Sequence, residues 1–262
     1  MSGVRVERSG GVARVTLDRP EVRNAFNAEL IAELHAIFSA FAGEAPTQLR
    51  AVVLAGAGRS FCAGADIEWM RASLGLSLAE NEADAGRMAD MFAAVDACPV
   101  PVIARVQGAA LGGGMGLCAV ADVVVATHDC LFGFTEAKLG ILPAVIAPFV
   151  LAKIGESAAR RFFATGERFS ADRARAMGLV HEVVADEAAL DERVAALVAE
   201  VGSAGPTAAR AAKATIRDLR GRSAEEARAL TVERIAGQRT SAEGQEGLAA
   251  FLEKRQPQWE HR

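Results

Sequence analysis

Histidine and cysteine are scarce in this chain, four of each among 262 residues, and neither is arranged for chemistry. His35, His128, His181 and His261 are scattered without HExxH or other metal-ligand spacing, so metal catalysis is not expected. Cys62, Cys98, Cys118 and Cys130 form no CxxC pair and are too sparse for a disulfide framework, which points to reduced thiols in a cytoplasmic compartment. No GxSxG is present. Basic charge is also short: 29 Lys and Arg against 33 Asp and Glu give a net charge of −4 and a pI near 5.7, the wrong balance for a nucleic-acid footprint. The longest apolar stretch, Val100–Ala126, is interrupted by Arg105, Gln107, Asp122 and several glycines, so it reads as a buried core and not as a membrane span. The opening MSGVRVERSGG has neither the apolar core of a signal peptide nor the character of a transit peptide, and no export signal is expected.

What is present is an α/β pattern of a length ordinary for one main domain. Val4–Arg8 and Val12–Leu17 alternate around Gly10-Gly11 and predict a β-hairpin. Asn27 can cap a helix with Leu30, Ile31, Leu34, Ile37, Phe38 and Phe41 on one face, ending near Gly43. Strands are predicted at Ala51–Ala55, Val102–Val106 and Asp122–Ala126, with a short extended piece at Leu131–Phe134. The polar stretch from Ser73 to Gly86 reads as a helix–loop excursion, with a mobile lid as one use for it; Arg87–Ala97 reads as helix. Ser170 opens and Gly178 closes a further helix, followed by a strand-like Leu179–Val184. From Leu190 to Phe251 the pattern is almost wholly helical. Its apolar positions exceed what a lone protomer would cover, so a homo-oligomer is expected.

Two glycine-marked segments carry the functional signal. RSFCAGADI at Arg59–Ile67 and GAALGGGMG at Gly108–Gly116 each follow an apolar strand-like run and hold no conventional nucleophile. Glycine lets the main chain approach a ligand, and an N–H aimed at a reacting carbonyl stabilises the oxyanion that forms there. The second segment runs into an apolar helix, whose first N–H groups and dipole suit the same task. Other readings stand beside this one. Asp66 can simply cap a helix, Cys62 can be offered as a nucleophile without a local histidine partner, and Gly114–Ala119 fits a GxGxxA dinucleotide fingerprint out of its usual strand context. Glu136, in FGFTEAKLGILP, is a carboxylate among small and apolar residues, where burial would raise its pKa toward a range useful for proton transfer; alternatively it is an exposed turn residue paired with Lys138. Arg23, Arg59, Lys254 and Arg255 could meet phosphates, or be solvated surface charges.

With these residues in view, the chain resembles the enoyl-CoA hydratase/isomerase, or crotonase, superfamily. The likeness runs over nearly the whole chain: RPEVRNAFN at Arg19–Asn27, GRSFCAGADI, VQGAALGGG, the Ala121-Asp122 pair, TEAKLGILP and a terminal FLEKRQPQW. The resemblance implies a spiral of ββα units (a ClpP-like α/β fold) over residues 1–200 with the acyl-CoA site. It also implies a C-terminal helical trimerisation region over 201–262, trimers or hexamers, and a coenzyme A thioester as substrate with no separate cofactor and no metal. Carried over by position, the N–H groups of Ala65 and Gly113 match the oxyanion hole and Glu136 a catalytic acid/base. Arg23, Ala25, Ala63, Ala65, Asp66, Ile67, Leu111 and Gly113 match segments lining the CoA thioester, and Phe251 and Lys254 match the tail that reaches a neighbouring subunit's ligand.

One position departs from the family hydratases. Two residues beyond the third glycine of the GGG run, where their first glutamate stands, this chain has Gly116. The resemblance therefore implies either hydration of a 2-enoyl-CoA with Glu136 as lone acid/base, a Δ3–Δ2 isomerase using the same residue, or a weakly active acyl-CoA binder. The region TEAKLGILPAVIAPFVLAKIGESAARRFFATGERF is similar to bacterial members assigned as 3-methylglutaconyl-CoA or carboxygeranoyl-CoA hydratases of leucine and isoprenoid degradation. Such a substrate calls for a cation in the acyl pocket. A scaffold role through the trimer surface, or RNA binding as among some relatives, are readings from other classes, and the acidic balance counts against RNA.

Overall fold

The computed structural model describes residues 3–261. Its first two strands, β1 (Val4–Ser9) and β2 (Val12–Leu17), pair antiparallel with Val4 opposite Leu17 and Ser9 opposite Val12. Gly10 and Gly11, at φ 55° and 78°, supply the two left-handed residues that a two-residue hairpin turn needs. From β2 the chain crosses through α1 (Ala28–Phe41) to β3 (Ala51–Gly56), which lies parallel to β2. Asn27 caps α1 by accepting from the Leu30 N–H at 2.9 Å, and Leu30, Ile31, Leu34, Phe38 and Phe41 bury its inner face.

Helices α2 (Ile67–Ser73) and α3 (Leu78–Asp96) lead to β4 (Val102–Val106), then β5 (Ala109–Leu111), α4 (Gly113–Val120), β6 (Val123–Thr127) and β7 (Leu131–Gly133). After these come α5 (Ala147–Thr165), β8 (Arg168–Ser170), α6 (Ala171–Ala176), β9 (Glu182–Val184) and α7 (Glu187–Ser203). The main sheet has the order β1-β2-β3-β4-β6-β9 and is parallel from β2 onward. A smaller sheet, β5-β7-β8, stands beside it. Strands β3 and β4 are buried along their whole length, which explains why they read as unbroken apolar runs.

The chain between Ser73 and Gly86 differs from the expected excursion, because α3 already starts at Leu78. Ser77 and Glu80 form a reciprocal capping box, which satisfies two otherwise orphaned N–H groups and fixes the helix start where the side-chain pattern is polar. The tail is α8 (Pro206–Asp218), α9 (Ala224–Thr240) and α10 (Ala242–Glu253). Lys213 of α8 ties it to the sheet by donating to Asp122 Oδ2 at 2.6 Å and to the Val100 carbonyl at 3.0 Å. Arg105 of β4 similarly holds α7 through Asp191 at 2.7 Å. No helix among the described residues is long and apolar enough to cross a membrane.

Candidate active site

The two glycine segments lie side by side. Cys62 donates its N–H to the Ala109 carbonyl at 3.0 Å and accepts from the Leu111 N–H at 3.0 Å, a two-bond clamp that brings the loop before α2 against the loop before α4. The first loop is held from behind by Asn24, whose side chain is fully buried. Its amide nitrogen Nδ2 donates to the carbonyls of Ala57, Ser60 and Phe61 at 2.8, 2.8 and 3.2 Å, while Oδ1 accepts from the Arg19 N–H at 2.9 Å. Asn24 sits at φ 56°, a left-handed conformation that asparagine tolerates better than most residues. Gln107 adds two bonds, to the Gly56 and Gly58 carbonyls at 2.7 and 2.9 Å.

Above this braced platform a cavity of about 390 Å³ opens. Gly64, Ala65, Gly112 and Gly113 form its floor. Among the described residues, the N–H groups of Ala65 and Gly113 have no hydrogen-bond acceptor. Gly113 is the first residue of α4, so no carbonyl one turn back is available to it and the positive end of the helix lies behind it. Gly112 holds φ 49° and ψ −116°, a backbone state closed to ordinary L-residues, and this turns the chain into α4. Two residues of the floor therefore carry N–H groups with no acceptor among the described residues.

Glu136 lines the same cavity at the start of the 3₁₀ turn Glu136–Leu139. A Cβ on Gly112 would stand 3.5 Å from Glu136 Oε1, so the carboxyl group lies directly beside the floor. Oε2 is buried and has no hydrogen-bond partner among the described residues. Burial raises the Glu136 carboxyl above its ordinary value, with no compensating cation, as expected where the charged form is poorly solvated. Lys138 is no ion-pair partner of Glu136: no salt bridge joins them among the described residues. The exposed-turn reading of this glutamate is thereby set aside.

The position expected to hold a second carboxylate is closed. Gly116, inside α4, is buried, and a Cβ there would fall 2.4 Å from Ile146 Cγ2 and 2.5 Å from Phe92 Cζ. The volume a side chain would need is already filled by α3 and the start of α5. Glu136 is thus the one carboxylate next to the paired donors on the described floor, and Asp84 is the other acidic group of the lining, on α3. The remaining wall is mostly apolar, from Trp69, Met70, Met88, Ile141, Leu142 and Ile146, with Ser73, Asn81 and Thr135 as polar points.

With residues 7–262 the chain matches the family described as Enoyl-CoA hydratase/isomerase. The chain belongs to the enoyl-CoA hydratase/isomerase family. It is 32% identical over 264 residues to the enoyl-CoA hydratase AKT6-1 of Alternaria alternata, covering 99% of this chain and 85% of that protein. Among solved structures it resembles Pseudomonas aeruginosa AtuE, with a TM-score of 0.95 at 36% identity over 98% of this chain and 99% of that one. An enoyl-CoA hydratase from Mycobacterium smegmatis gives a TM-score of 0.93 at 35% identity, covering 99% of each chain. The crotonase fold expected from the sequence is therefore the fold observed.

Within that family fold, the residues named from the sequence divide into two groups. Ala63, Ala65, Gly113 and Glu136 meet at the cavity, and Leu111 sits one residue before its floor on β5. Ala25 is buried and outside the lining. Asp66 is buried and committed to structure: it accepts from the Glu68 N–H at 2.8 Å as the cap of α2, and Arg19 donates to its other oxygen at 2.8 Å. These bonds hold its carboxyl below its ordinary value despite burial. Arg23, Ile67, Phe251 and Lys254 are exposed and outside the cavity lining. Cys62 is no nucleophile in waiting, since burial pushes its thiol up to about 12 and its Sγ lies behind the floor.

The role of Asn24, and the part of the wall supplied by α2 and α3 outside Ser73–Gly86, were missing from the sequence reading. Asn24 lies inside RPEVRNAFN, and its signal was there: an asparagine between an arginine and an alanine in a turn is a candidate for a left-handed, backbone-bonding residue. For Trp69, Met70 and Met88, the helical spacing alone gave no hint that this face meets a ligand cavity, whereas Asn81 and Asp84 lie in the Ser73–Gly86 segment for which a lid was one reading.

Proposed function

We propose that this protein adds water across the double bond of a 2-enoyl-CoA thioester, with Glu136 as its sole acid/base. The observation that carries the reading is the meeting of two unpaired N–H groups, Ala65 and Gly113, with one carboxyl group whose Oε2 is buried and unpartnered, in one cavity. Relatives and structural neighbours bearing the name enoyl-CoA hydratase support it.

In this scheme the thioester carbonyl accepts from both N–H groups, which favour the charge that gathers on its oxygen as the enolate forms. The water oxygen bonds to Cβ, its proton passes to Glu136, and Glu136 returns a proton to Cα; one water is consumed and the carboxylate is regenerated. With position 116 closed, no second side chain stands there to hold the water.

That closure favours a second reading, a Δ3–Δ2 isomerase, in which Glu136 takes a proton from Cα of a 3-enoyl-CoA and delivers it to Cγ. The apolar wall suits a reaction that needs no water. Purified protein incubated with trans-2-hexenoyl-CoA and with 3-hexenoyl-CoA, followed by mass spectrometry and absorbance of the conjugated thioester, separates the two. Gain of one water from the 2-enoyl substrate is the expected result. A double-bond shift without mass gain would replace hydration by isomerisation, and inertness toward both would reject the catalytic reading.

For 3-methylglutaconyl-CoA, the finer substrate suggested by the sequence, support would be a cation facing the acyl group. No Lys, Arg or His stands among the described residues lining the cavity. Exposed Ile216, Val232, Ile235, Leu248, Phe251 and Leu252 on α8 to α10 support a homo-oligomer of the trimer or hexamer type, and four buried free thiols support a reducing, cytoplasmic setting.

A further inference from the structure

We infer that the acyl pocket is selective for thioesters whose acyl chain is uncharged, and that Asp84 of α3 is the residue that enforces this by turning away a second carboxylate. The inference rests on the acyl-CoA reading above and names the substrate class of the same cavity. Only two side chains of the lining carry ionisable groups, Glu136 and Asp84, and both are acidic. Every other residue of the wall is apolar, small or neutral.

Asp84 is fixed in place. Its side chain is 15% exposed, and Arg87, one turn on and itself 59% exposed, donates to Oδ1 at 2.7 Å. Arg87 does not belong to the lining, and its side chain is far more exposed than that of Asp84, so solvent screens its charge more than that of the carboxylate. Asn81, one turn before, points its amide nitrogen to the Leu76 and Ser77 carbonyls at 3.1 Å each. Asn81 Nδ2 is therefore already spent and is no substitute for a cation. Ser73 is likewise occupied, donating to the Met70 carbonyl at 2.8 Å.

An acyl carboxylate entering this space would give up water without gaining a cation, and would face Asp84 on one wall and Glu136 beside the floor. Both effects disfavour it: desolvation of an unpaired charge and proximity of like charges where the dielectric is low. A neutral chain of the same shape meets neither penalty and gains contact with Trp69, Met70 and Met88. Asp84 belongs to the wall and not to the donor pair or the acid/base of the floor, so it acts on selection among substrates and not on the proton transfer.

Saturated thioesters test this without relying on turnover. Calorimetry would compare 5-methylhexanoyl-CoA with glutaryl-CoA, which differ by an isopropyl group in place of a carboxylate, on wild-type protein and on Asp84→Asn, with circular dichroism melting as the folding control. Glutaryl-CoA is expected to bind at least tenfold more weakly than 5-methylhexanoyl-CoA. Asp84→Asn is expected to narrow that gap at least threefold. Equal binding of the two thioesters by wild-type protein overturns the proposal, as does a gap unchanged in a folded Asp84→Asn variant. Failure to bind either thioester would instead overturn the acyl-CoA reading on which it rests. Should Asp84→Asn unfold, Asp84→Ser supplies the same comparison.

Discussion

Gly116 and Phe92 are packed so closely that a single added carbon on the glycine would come within 2.5 Å of the ring. The missing glutamate is thus part of a wall in which α3 and the start of α5 fill the place where that side chain would lie. Restoring the carboxylate alone should not restore two-carboxylate chemistry. Gly116→Ala is expected to cost about 1–3 kcal/mol, the usual penalty for overpacking, read from the shift in the urea midpoint. Gly116→Glu should be less stable still and no faster in hydration. A Gly116→Glu protein with wild-type stability and increased turnover would show that the space is open.

The donor role of Gly113 needs a paired test, because a Cβ there meets the Phe26 ring at 2.7 Å. Gly113→Ala introduces that crowding but keeps the N–H, whereas Gly113→Pro introduces it and removes the N–H. The difference in kcat between these two variants therefore reports the loss of the N–H together with the constraint that proline places on Gly112. It is expected to be about 100- to 1000-fold, the range found when one oxyanion donor is deleted. Equal rates for the folded alanine and proline variants would mean that the Gly113 amide does not hold the thioester oxygen.

Much of this architecture was legible because β3, β4 and β6 are short apolar runs closed by glycine or a polar residue, and because Asn27 and Ser170 are standard helix caps. That Ala65, Gly113 and Glu136 come together at one cavity was legible through motif position. The start of α3 was not, since its exposed face gives little apolar period and the decisive feature is a Ser77–Glu80 side-chain exchange. Nor was the filled slot at Gly116: sequence shows an absent glutamate, but only packing shows that Phe92 and Ile146 occupy its volume. Asn24 was hidden for a similar reason. Its value lies in three carbonyls far along the chain, and no local pattern announces them.

Asn24 supplies the third prediction. Asn24→Ala would leave the Ala57, Ser60 and Phe61 carbonyls and the Arg19 N–H without their partner, inside the protein, and would put alanine at φ 56°. Buried polar groups left unpaired cost about 1–3 kcal/mol each where water cannot reach them. A loss of about 3 kcal/mol is expected, allowing for partial relaxation, together with a fall in kcat because the loop carrying Ala65 is no longer held. Asn24→Asp should keep the Arg19 bond but not the three donations. Unchanged urea midpoints in both variants would show that the loop is braced by Gln107 alone.

Glu136 connects catalysis to stability through its proton. Below the ordinary glutamate value, about 4.3, the group is neutral in both folded and unfolded chains. Burial raises its value in the folded protein, so as pH climbs the unfolded chain loses this proton first, and over that interval the native state binds more protons than the unfolded one. Unfolding free energy must then fall with rising pH on account of this group, until pH has passed the folded value. Glu136→Gln, which cannot ionise, keeps that stability. The expected result is a wild-type urea midpoint that declines relative to Glu136→Gln between pH 4 and neutrality, while the variant's kcat drops by about 100- to 10,000-fold. Parallel stability curves would mean that the carboxyl is solvated in the folded protein, and undiminished turnover would remove Glu136 from the proton transfer.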